Sequence, residues 1–424
     1  MRPPAASFLS FDRFFRALRH PNYRLFFFGQ SLSNIGTWLQ QVAMGWLTYR
    51  VTGSAFILGL VAFCTNFGIL VLSPFAGVLA DRVNRRRWLI VTQTSMLLQA
   101  VTLTAIVASA RVEVWHLMLL ALWLGVSWAF DVPLRQSMYV HLVPDRTDLP
   151  NAIALNAFAV NAARVIGPAL AGLLIAAAGE AWCFGLNALT FLVVIGAVVK
   201  LERMQNPQPS SAGWWASWLE GARYTFGFEP IRTLLILLAV LAWTIAPYSA
   251  LMPIYARDVY GGGPDTLGLL LASAGAGALS CMTYLAGRKT VRGLGRVIAT
   301  AAMTCSLALA AFAYLEFLPL AMLLLALIGG GMILCAASAN VILQTVSEDR
   351  LRGRVASFYT LAFLGVAPIG NLVAGSLARH FGAPATFLLN ACLCVLAAAW
   401  YWRELPRMRR LMAPTYERLG IAAE

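Results

Sequence analysis

The sequence contains about twelve apolar runs, each close to 20 residues long, separated by short polar or Gly- and Pro-containing links. A run of this length can cross the hydrocarbon core of a bilayer, and in lipid its backbone amides must bond within the segment, so each run is predicted to be a helix. The chain is 60% hydrophobic and 12% charged, which is too apolar for the surface of a soluble domain. The predicted spans are 24–49, 55–79, 88–110, 115–134, 151–178, 181–199, 231–256, 266–287, 296–315, 318–341, 355–378 and 383–402.

Basic residues are distributed unevenly among the links. If the N-terminus is cytoplasmic, 27 of the 32 Lys and Arg residues fall on the cytoplasmic side, four on the outer side, and one, Arg164, within a span. This bias follows the positive-inside rule and predicts that both termini are cytoplasmic. The formal net charge of +14 is thus explained by membrane topology, and no nucleic-acid partner is expected, because such binders gather their cations on one folded face.

The two halves of the chain repeat. Gly167, Gly172 and Asn187 recur 203 residues later as Gly370, Gly375 and Asn390. A parallel repeat of this kind predicts an all-α membrane protein of twelve transmembrane helices in two pseudo-symmetric six-helix halves. The predicted parts are a cytoplasmic amphipathic segment (1–23), the first half (24–199), a cytoplasmic linker (200–230), the second half (231–402) and a cytoplasmic tail (403–424).

Signals of enzymatic chemistry are missing from the sequence. We find no nucleotide-binding loop, no catalytic triad and no spacing typical of metal ligands, so no enzyme activity, cofactor or metal is expected. The seven cysteines all lie in apolar runs and are interpreted as small buried hydrophobic residues. The first apolar run is too long for a cleavable signal peptide, and none is expected.

Arg164 is the charged residue that most needs an explanation. It lies 13 residues into the fifth span, roughly 20 Å along the helix and near the middle of the membrane. A cation there is costly unless it is paired or hydrated, so it is a functional candidate as a contact for an anionic or polar substrate or as a partner in proton coupling. The alternative is a structural Arg that bonds backbone carbonyls or a neighbouring helix. Asn156 and Asn161 fall on the same broad side of this span.

The first span carries a polar stripe. Gln30, Asn34, Trp38 and Gln41 follow helical spacing, and in lipid such a stripe faces either a cavity or another helix. We interpret Asn34, Trp38 and Gln41 as cavity-lining candidates. In the second half Trp243 and Tyr248 are weaker candidates, and Tyr359 and Asn371 are weaker still.

Asp131 lies near the inner end of the fourth span, and burial could make it a proton site. The alternative is a salt bridge to Arg135 or to the basic loop after the second span. The acid inventory near mid-membrane is poor, so the residue that would carry a proton is not identified by the sequence.

Gly167, Pro168 and Gly172 follow Arg164 in the fifth span. Small residues at this spacing let helices approach closely, and the proline frees a carbonyl and permits a bend. The group is predicted to be a helix-packing motif.

The link between the second and third spans, Gly-Val-Leu-Ala-Asp-Arg-Val-Asn-Arg-Arg-Arg, combines an acid with four cations at a helix end. It resembles the loop between helices 2 and 3 of the major facilitator superfamily, which acts as a latch on the cytoplasmic face. The resemblance implies gating roles for five residues: Gly77, Asp81, Arg82, Arg85 and Arg86.

Further stretches resemble one branch of that superfamily, the enterobactin-exporter group catalogued as transmembrane secretion effectors. They include Asn22–Phe26, Asp131–Gln136, Asn151–Asn156, Asn161–Pro168 and Arg352–Val355. The Gly-Pro motif in the fifth span is similar to the antiporter motif of the superfamily. This resemblance implies a bacterial inner-membrane protein that exports a small molecule by proton antiport, with alternating access between its halves.

The leading hypothesis is therefore a secondary active transporter that exports a siderophore or drug-like compound in exchange for protons. Its expected partners are a small-molecule substrate, protons and the lipid bilayer, and it is expected to be a monomer. One alternative is an uncoupled permease or lipid flippase of the same fold. A second, from another class, is a membrane receptor or assembly partner that does not transport.

Overall fold

In the computed structural model, residues 15–80, 83–145, 147–201, 214–288, 290–348 and 350–420 are described. They form thirteen helices, where an interrupted helix is counted once, and a short 3₁₀ turn, Arg16–Arg19, precedes them. The helices are α1 (Pro21–Thr52), α2 (Ala55–Ala80), α3 (Arg85–Ala108), α4 (Val114–Leu142), α5 (Leu149–Ala178), α6 (Glu180–Lys200), α7 (Trp214–Gly227), α8 (Glu229–Val259), α9 (Pro264–Ala286), α10 (Leu294–Phe312), α11 (Leu318–Val346), α12 (Arg352–Phe381) and α13 (Ala383–Arg418).

Eleven of the helices in the described part of the chain, α2–α6 and α8–α13, are long and apolar enough to cross a membrane by length and composition. The other long helix, α1, has 32 residues and carries several amide side chains, which lower its hydropathy. The structure thus supports an all-helical protein with many membrane spans.

Several helices extend beyond the spans expected from hydropathy. α4 reaches Leu142 and α11 reaches Val346, and α13 continues to Arg418 through the segment assigned to the tail. The segment assigned to the linker contains the helix α7. Hydropathy marks only the apolar length of a helix, whereas the backbone stays helical where polar side chains meet water.

The helices before α7 and those after α7 form two groups along the chain. In the N-terminal group (α1–α6), α1 packs on α5 and α6, α2 packs on α4, and α3 packs on α6. In the C-terminal group (α8–α13), α9 and α10 pack on α11, and α13 packs on α8 and α10. Two pairs of helices, α2 with α12 and α5 with α9, make most of the contacts between the groups.

The chain enters α1 at one end of the bundle, which we call the termini side. The turns at Gly53, Gly179 and Gly382 lie at the other end, which we call the opposite side. These three glycines have φ between 58° and 88°, a backbone conformation that residues with a Cβ rarely adopt, so each ends a helix sharply.

A buried chain of amides joins four helices of the N-terminal group. Asn187 Nδ2 donates to Gln40 Oε1 at 2.8 Å, Gln40 Nε2 donates to Gln99 Oε1 at 2.9 Å, and Gln99 Nε2 donates to the carbonyl of Leu120 at 3.1 Å. In an apolar surrounding these polar groups need partners, and together they fix the position of α1 against α3, α4 and α6. Part of the polar character of α1 therefore serves helix packing.

α8 and α12 are interrupted. α8 comprises the α-helices Glu229–Thr244 and Pro247–Ile254 followed by a π-helical turn, Tyr255–Val259, and α12 has a π-helical turn at Leu361–Gly365. Pro247 has no amide hydrogen and removes a helical hydrogen bond, so the first break falls there. The break at Pro247 and the π-helical turn of α12 lie next to residues that line a cavity between the helices.

The segments that precede α1 and α8 are both docked on the termini side. Before α1, Arg16 forms an ion pair with Asp148, and His20 Nε2 lies 3.0 Å from Asp148 Oδ2. Before α8, the carboxylate of Glu220 on α7 forms ion pairs with Arg354 and with Arg350, the latter at 2.6 Å. Each segment is thus held at the junction of the fourth and fifth long helices of its own group.

Replacing Glu220 by Gln is expected to loosen α7. Hydrogen bonds from Arg354 and Arg350 lower the pKa of the Glu220 carboxyl. A group with a lowered folded-state pKa stabilises the docked state above its unfolded pKa, and that contribution is lost as the pH falls through the folded pKa. Hydrogen exchange at the α7 amides should therefore be faster in Glu220→Gln than in wild type at neutral pH and equal at strongly acidic pH. Glu417→Gln, at an exposed position on α13, is the matched control. Equal exchange at neutral pH would contradict the role of Glu220.

Candidate functional site

A cavity of about 330 Å³ lies between the two groups of helices. Its walls come from α1, α2, α4 and α5 of the N-terminal group and from α8, α9, α11 and α12 of the C-terminal group. The volume falls at the lower end of the range of small-molecule sites. Because both groups contribute walls, a change in their relative position would change the cavity.

Arg164 on α5 lines this cavity. Its guanidinium carbon lies 5.6 Å from the centroid of the Trp38 ring, within cation–π distance, and its Nε is buried without a hydrogen-bond partner. The backbone at Arg164 is also close to α9, because a Cβ on Gly275 would lie 2.3 Å from the Arg164 carbonyl oxygen. α5 thus holds Arg164 against α9 while its side chain reaches Trp38 on α1.

Polar groups from both helix groups share the cavity with Arg164. Trp38 and Gln41 on α1 line it, and so do Tyr248 and Asn371, which the sequence offered as weaker candidates. Asn371 is 7% exposed, and its Oδ1 is buried without a hydrogen-bond partner. The lining therefore offers hydrogen-bonding groups on both sides of the boundary between the two groups.

Other predicted residues lie elsewhere. Asn34 accepts a hydrogen bond from Gln30 Nε2 at 3.3 Å, Asn156 Oδ1 accepts one from Tyr139 at 2.5 Å, and Asn161 Nδ2 donates to the carbonyl of Ala157 at 2.8 Å. None of the three is among the described residues that line the cavity. A substrate role for them stays a prediction.

Sequence reasoning missed five polar lining residues: Gln40, Thr48, Thr65, Asn66 and Ser249. Thr65 and Asn66 are adjacent polar residues within the apolar second run, a signal that was available. Ser249 follows the break at Pro247, and its direction depends on how the broken helix continues, which hydropathy does not report.

Asp131 on α4 is 1% exposed and forms an ion pair with Arg135 at 2.6 Å. Its Oδ1 also accepts hydrogen bonds from Thr92 at 3.0 Å and Gln93 at 2.8 Å, both on α3. The carboxylate is thus enclosed between α3 and α4, outside the lining of the cavity. This is the pairing with Arg135 that the sequence left open beside the proton role.

The packing motif on α5 makes two close contacts. A Cβ on Gly167 would lie 2.3 Å from the Cβ of Trp38, and a Cβ on Gly172 would lie 2.7 Å from the carbonyl oxygen of Pro264. The helix therefore approaches α1 at one glycine and α9 at the other. Pro168 lies between them, inside the helix.

Of the five residues predicted to form the latch, Gly77 lies in α2, and Asp81 and Arg82 lie outside the described residues. Arg85 Nη1 lies 2.9 Å from His141 Nε2 at the end of α4. Arg86 donates from Nε to the carbonyl of Val198 at 3.0 Å and from Nη2 to that of Val199, near the C-terminal end of α6. A cation at this end of a helix meets carbonyls that lack helical partners. The two described arginines thus join α3 to α4 and α6.

The two groups meet between the cavity and the opposite side. Tyr49 on α1 donates a hydrogen bond to Asp258 on α8, and the Arg257 guanidinium lies 5.9 Å from the Tyr49 ring centroid. On α2 and α12, a Cβ on Gly59 would lie 2.4 Å from the carbonyl oxygen of Asn371. These contacts leave little room between the groups on that side of the cavity.

A family model described as transmembrane secretion effector matches residues 14–417, which is nearly the whole chain. Among curated proteins, the multidrug efflux pump Tap of Mycolicibacterium fortuitum is 29% identical over 402 residues, covering 91% of this chain and 96% of that protein. The staphyloferrin A transporter of Staphylococcus aureus (strain NCTC 8325 / PS 47) is 24% identical over 381 residues, covering 89% and 95%. The family resemblance expected from the sequence is confirmed.

Among solved structures, a bacterial homologue of the human lysosomal transporter Spinster, in an inward-facing and unoccupied conformation, superposes with a TM-score of 0.71. The alignment covers 92% of this chain and 98% of that one at 13% sequence identity. At this identity the likeness is one of fold.

Proposed function

The chain belongs to the transmembrane secretion effector family, and from that premise we propose that it exports a small organic molecule by alternating access, in exchange for protons. As a member it is a multi-pass membrane transporter of small molecules and not an enzyme. The observation that carries the proposal is the cavity between the two helix groups, with Arg164 in its wall. The likeness to a drug efflux pump and to a siderophore transporter supports export of a drug-like or siderophore compound.

We propose that α1 is the twelfth membrane span, so that α1–α6 and α8–α13 are two pseudo-symmetric halves joined by the linker that contains α7. Packing within each group and the docking of the segment before each group support this division. The termini side carries most of the Lys and Arg residues of the links, so we propose that this side is cytoplasmic. The membrane is proposed to be a bacterial inner membrane. We also propose that the protein acts as a monomer.

In this orientation the structure corresponds to a state closed to the outside. The contacts of Tyr49 with Asp258 and of Gly59 with α12 would have to separate for the cavity to open outward. On the termini side we propose that the loop of Gly77, Asp81, Arg82, Arg85 and Arg86 gates the alternate state. The helix-end contacts of Arg86 support this role, because they tie the loop to α6.

Trp38, Gln41 and Arg164 are the proposed substrate contacts, and Asn34, Asn156 and Asn161 are proposed to contribute when the helices reorient. Asp131 is the proposed coupling residue. The runner-up is an uncoupled permease or flippase, and one observation favours it: no carboxylate side chain is found among the described residues lining the cavity.

Transport by purified protein in proteoliposomes with an imposed pH gradient tests the proposal. The panel is siderophores, macrolides and cationic dyes. One pH unit stores about 1.4 kcal/mol per proton, so each proton exchanged supports roughly tenfold accumulation. We expect one class to accumulate only when the gradient is present. Equilibration without accumulation would favour the uncoupled permease, and no movement of any class, by protein shown to be folded, would argue against export.

A further inference from the structure

We propose that the cavity selects an organic anion with an apolar body, whose negative group pairs with Arg164. The inference rests on the proposed function, because it takes the cavity as the transport site and names the class of substrate that fits it. It is based on the side chains that line the cavity and on two of them whose buried polar atoms have no hydrogen-bond partner.

The charge in the cavity wall is positive and has no negative counterpart among the described lining residues. Among the described lining residues, Arg164 carries the formal charge, and neither Asp nor Glu is present. A cation placed near mid-membrane without a counter-ion is costly, and a ligand that supplies the counter-charge recovers part of that cost on binding. A cationic ligand would meet repulsion from Arg164 and no compensating carboxylate.

Arg164 also keeps an unused donor. Its Nε is buried without a hydrogen-bond partner, although the guanidinium lies over the Trp38 ring. A cation–π contact satisfies part of the charge but accepts no hydrogen bond from Nε. A carboxylate or similar oxyanion accepts from two guanidinium N–H groups at once, so it fits this group better than a neutral carbonyl does.

Asn371 adds a second unmet group, from the other side of the cavity. Its Oδ1 is buried without a partner and can accept a hydrogen bond from a hydroxyl or N–H group of a ligand. Most of the remaining wall is apolar and includes Met44, Leu58, Leu271 and Met332. The ligand therefore combines one oxyanion with an apolar body, and a hydrogen-bond donor on that body would gain a further bond to Asn371.

The proposed ligand class can be tested without transport. Calorimetry measures the binding of small probes to the purified protein in nanodiscs of zwitterionic lipid. The probes share one ring system: 1-naphthoate, 1-naphthamide and 1-naphthylmethylammonium. We expect the anion to bind at least about tenfold more tightly than the amide, and the cation to bind most weakly. Arg164→Gln should remove the difference between naphthoate and naphthamide while leaving amide binding in place. Arg164→Lys, which retains the charge, should keep part of the preference for the anion.

Arg403→Gln, at an exposed position on α13 outside the cavity, is the matched control and should bind all three probes as wild type does. Equal binding of anion and amide by wild type, or failure of the anion to bind at millimolar concentration, would overturn the proposal. An anion preference that survives in Arg164→Gln would place the binding elsewhere and would also overturn it. Selective anion binding by a protein that transports nothing would instead refute export, so the two failures are distinguishable.

Discussion

Replacing Gly268 by Leu is expected to reduce export by at least about tenfold, and in the strongest case to abolish it, while the protein still folds. An ideal Cβ on Gly268 would lie 2.6 Å from the carbonyl oxygen of Pro168 and 2.9 Å from the Cα of Gly172. Both atoms belong to the backbone of α5, so neither can turn aside as a flexible side chain would. A leucine there must push α9 away from α5.

The separation of α9 from α5 should change the conformation of the protein without unfolding it. Helix contacts within each group, such as α2 on α4 and α10 on α11, are separate from the contact at Gly268, which joins the two groups. We expect a cysteine introduced at Gln41, in the cavity wall, to react faster with a membrane-impermeant thiol reagent from outside in Gly268→Leu than in wild type.

Gly196→Leu is the matched control, because a Cβ at Gly196 would meet nothing within 4 Å. Export at the wild-type rate by folded Gly268→Leu would show that close approach of α5 and α9 is not required for the cycle.

Replacing Asp131 by Ala is expected to lower the free energy of unfolding by about 3–5 kcal/mol, because it leaves the Arg135 charge without its partner in a poorly hydrated site. Thr92 and Gln93 would lose the oxygen to which they donate. Thermal or denaturant unfolding in detergent measures the loss. Asp131→Asn keeps an oxygen acceptor and removes the charge, so it separates the ion pair from the hydrogen bonds.

The double variant Asp131→Asn with Arg135→Gln removes both charges and should recover most of the stability lost by Asp131→Ala. Its transport then tests the coupling role. If Asp131 carries the proton, the stable double variant should transport without responding to a pH gradient. A gradient response equal to wild type would leave Asp131 as a structural residue of the α3–α4 contact.

Much of the site could be foreseen from the sequence where a single residue breaks a strong pattern. Arg164 is a charge in an apolar run, and Trp38 and Gln41 keep helical spacing with other polar residues, so their placement in one cavity wall followed from periodicity. The same periodicity also selected Asn34, but the face of a helix that meets a cavity covers only part of its length. Asn34 instead accepts a hydrogen bond from Gln30 within α1.

The contribution of the second group was harder to predict. Tyr248 and Ser249 face the cavity after the interruption of α8 at Pro247, and Asn371 follows the π-helical turn of α12. A break changes the direction of the side chains that follow it by an amount that a fixed helical period does not contain. The pairing of Asp131 with Thr92 and Gln93 likewise depends on the register between α3 and α4, which no single-helix pattern specifies.

The guanidinium of Arg164 has no carboxylate beside it in the described cavity wall, so its charge would respond to the membrane potential. A charge that crosses the whole membrane potential changes energy by about 2.3 kcal/mol per 100 mV, and a charge that moves through part of the field changes by that fraction. In the proposed alternating-access cycle, the cavity without an anion, whose described lining contains no carboxylate, would carry the Arg164 charge through each reorientation, whereas a cavity holding a monovalent anion would be neutral. With the termini side cytoplasmic, as proposed, a negative cell interior would favour the inward-open form of the protein without its anion and would exert little force on the loaded form. We therefore expect voltage to act on the return half of the proposed cycle.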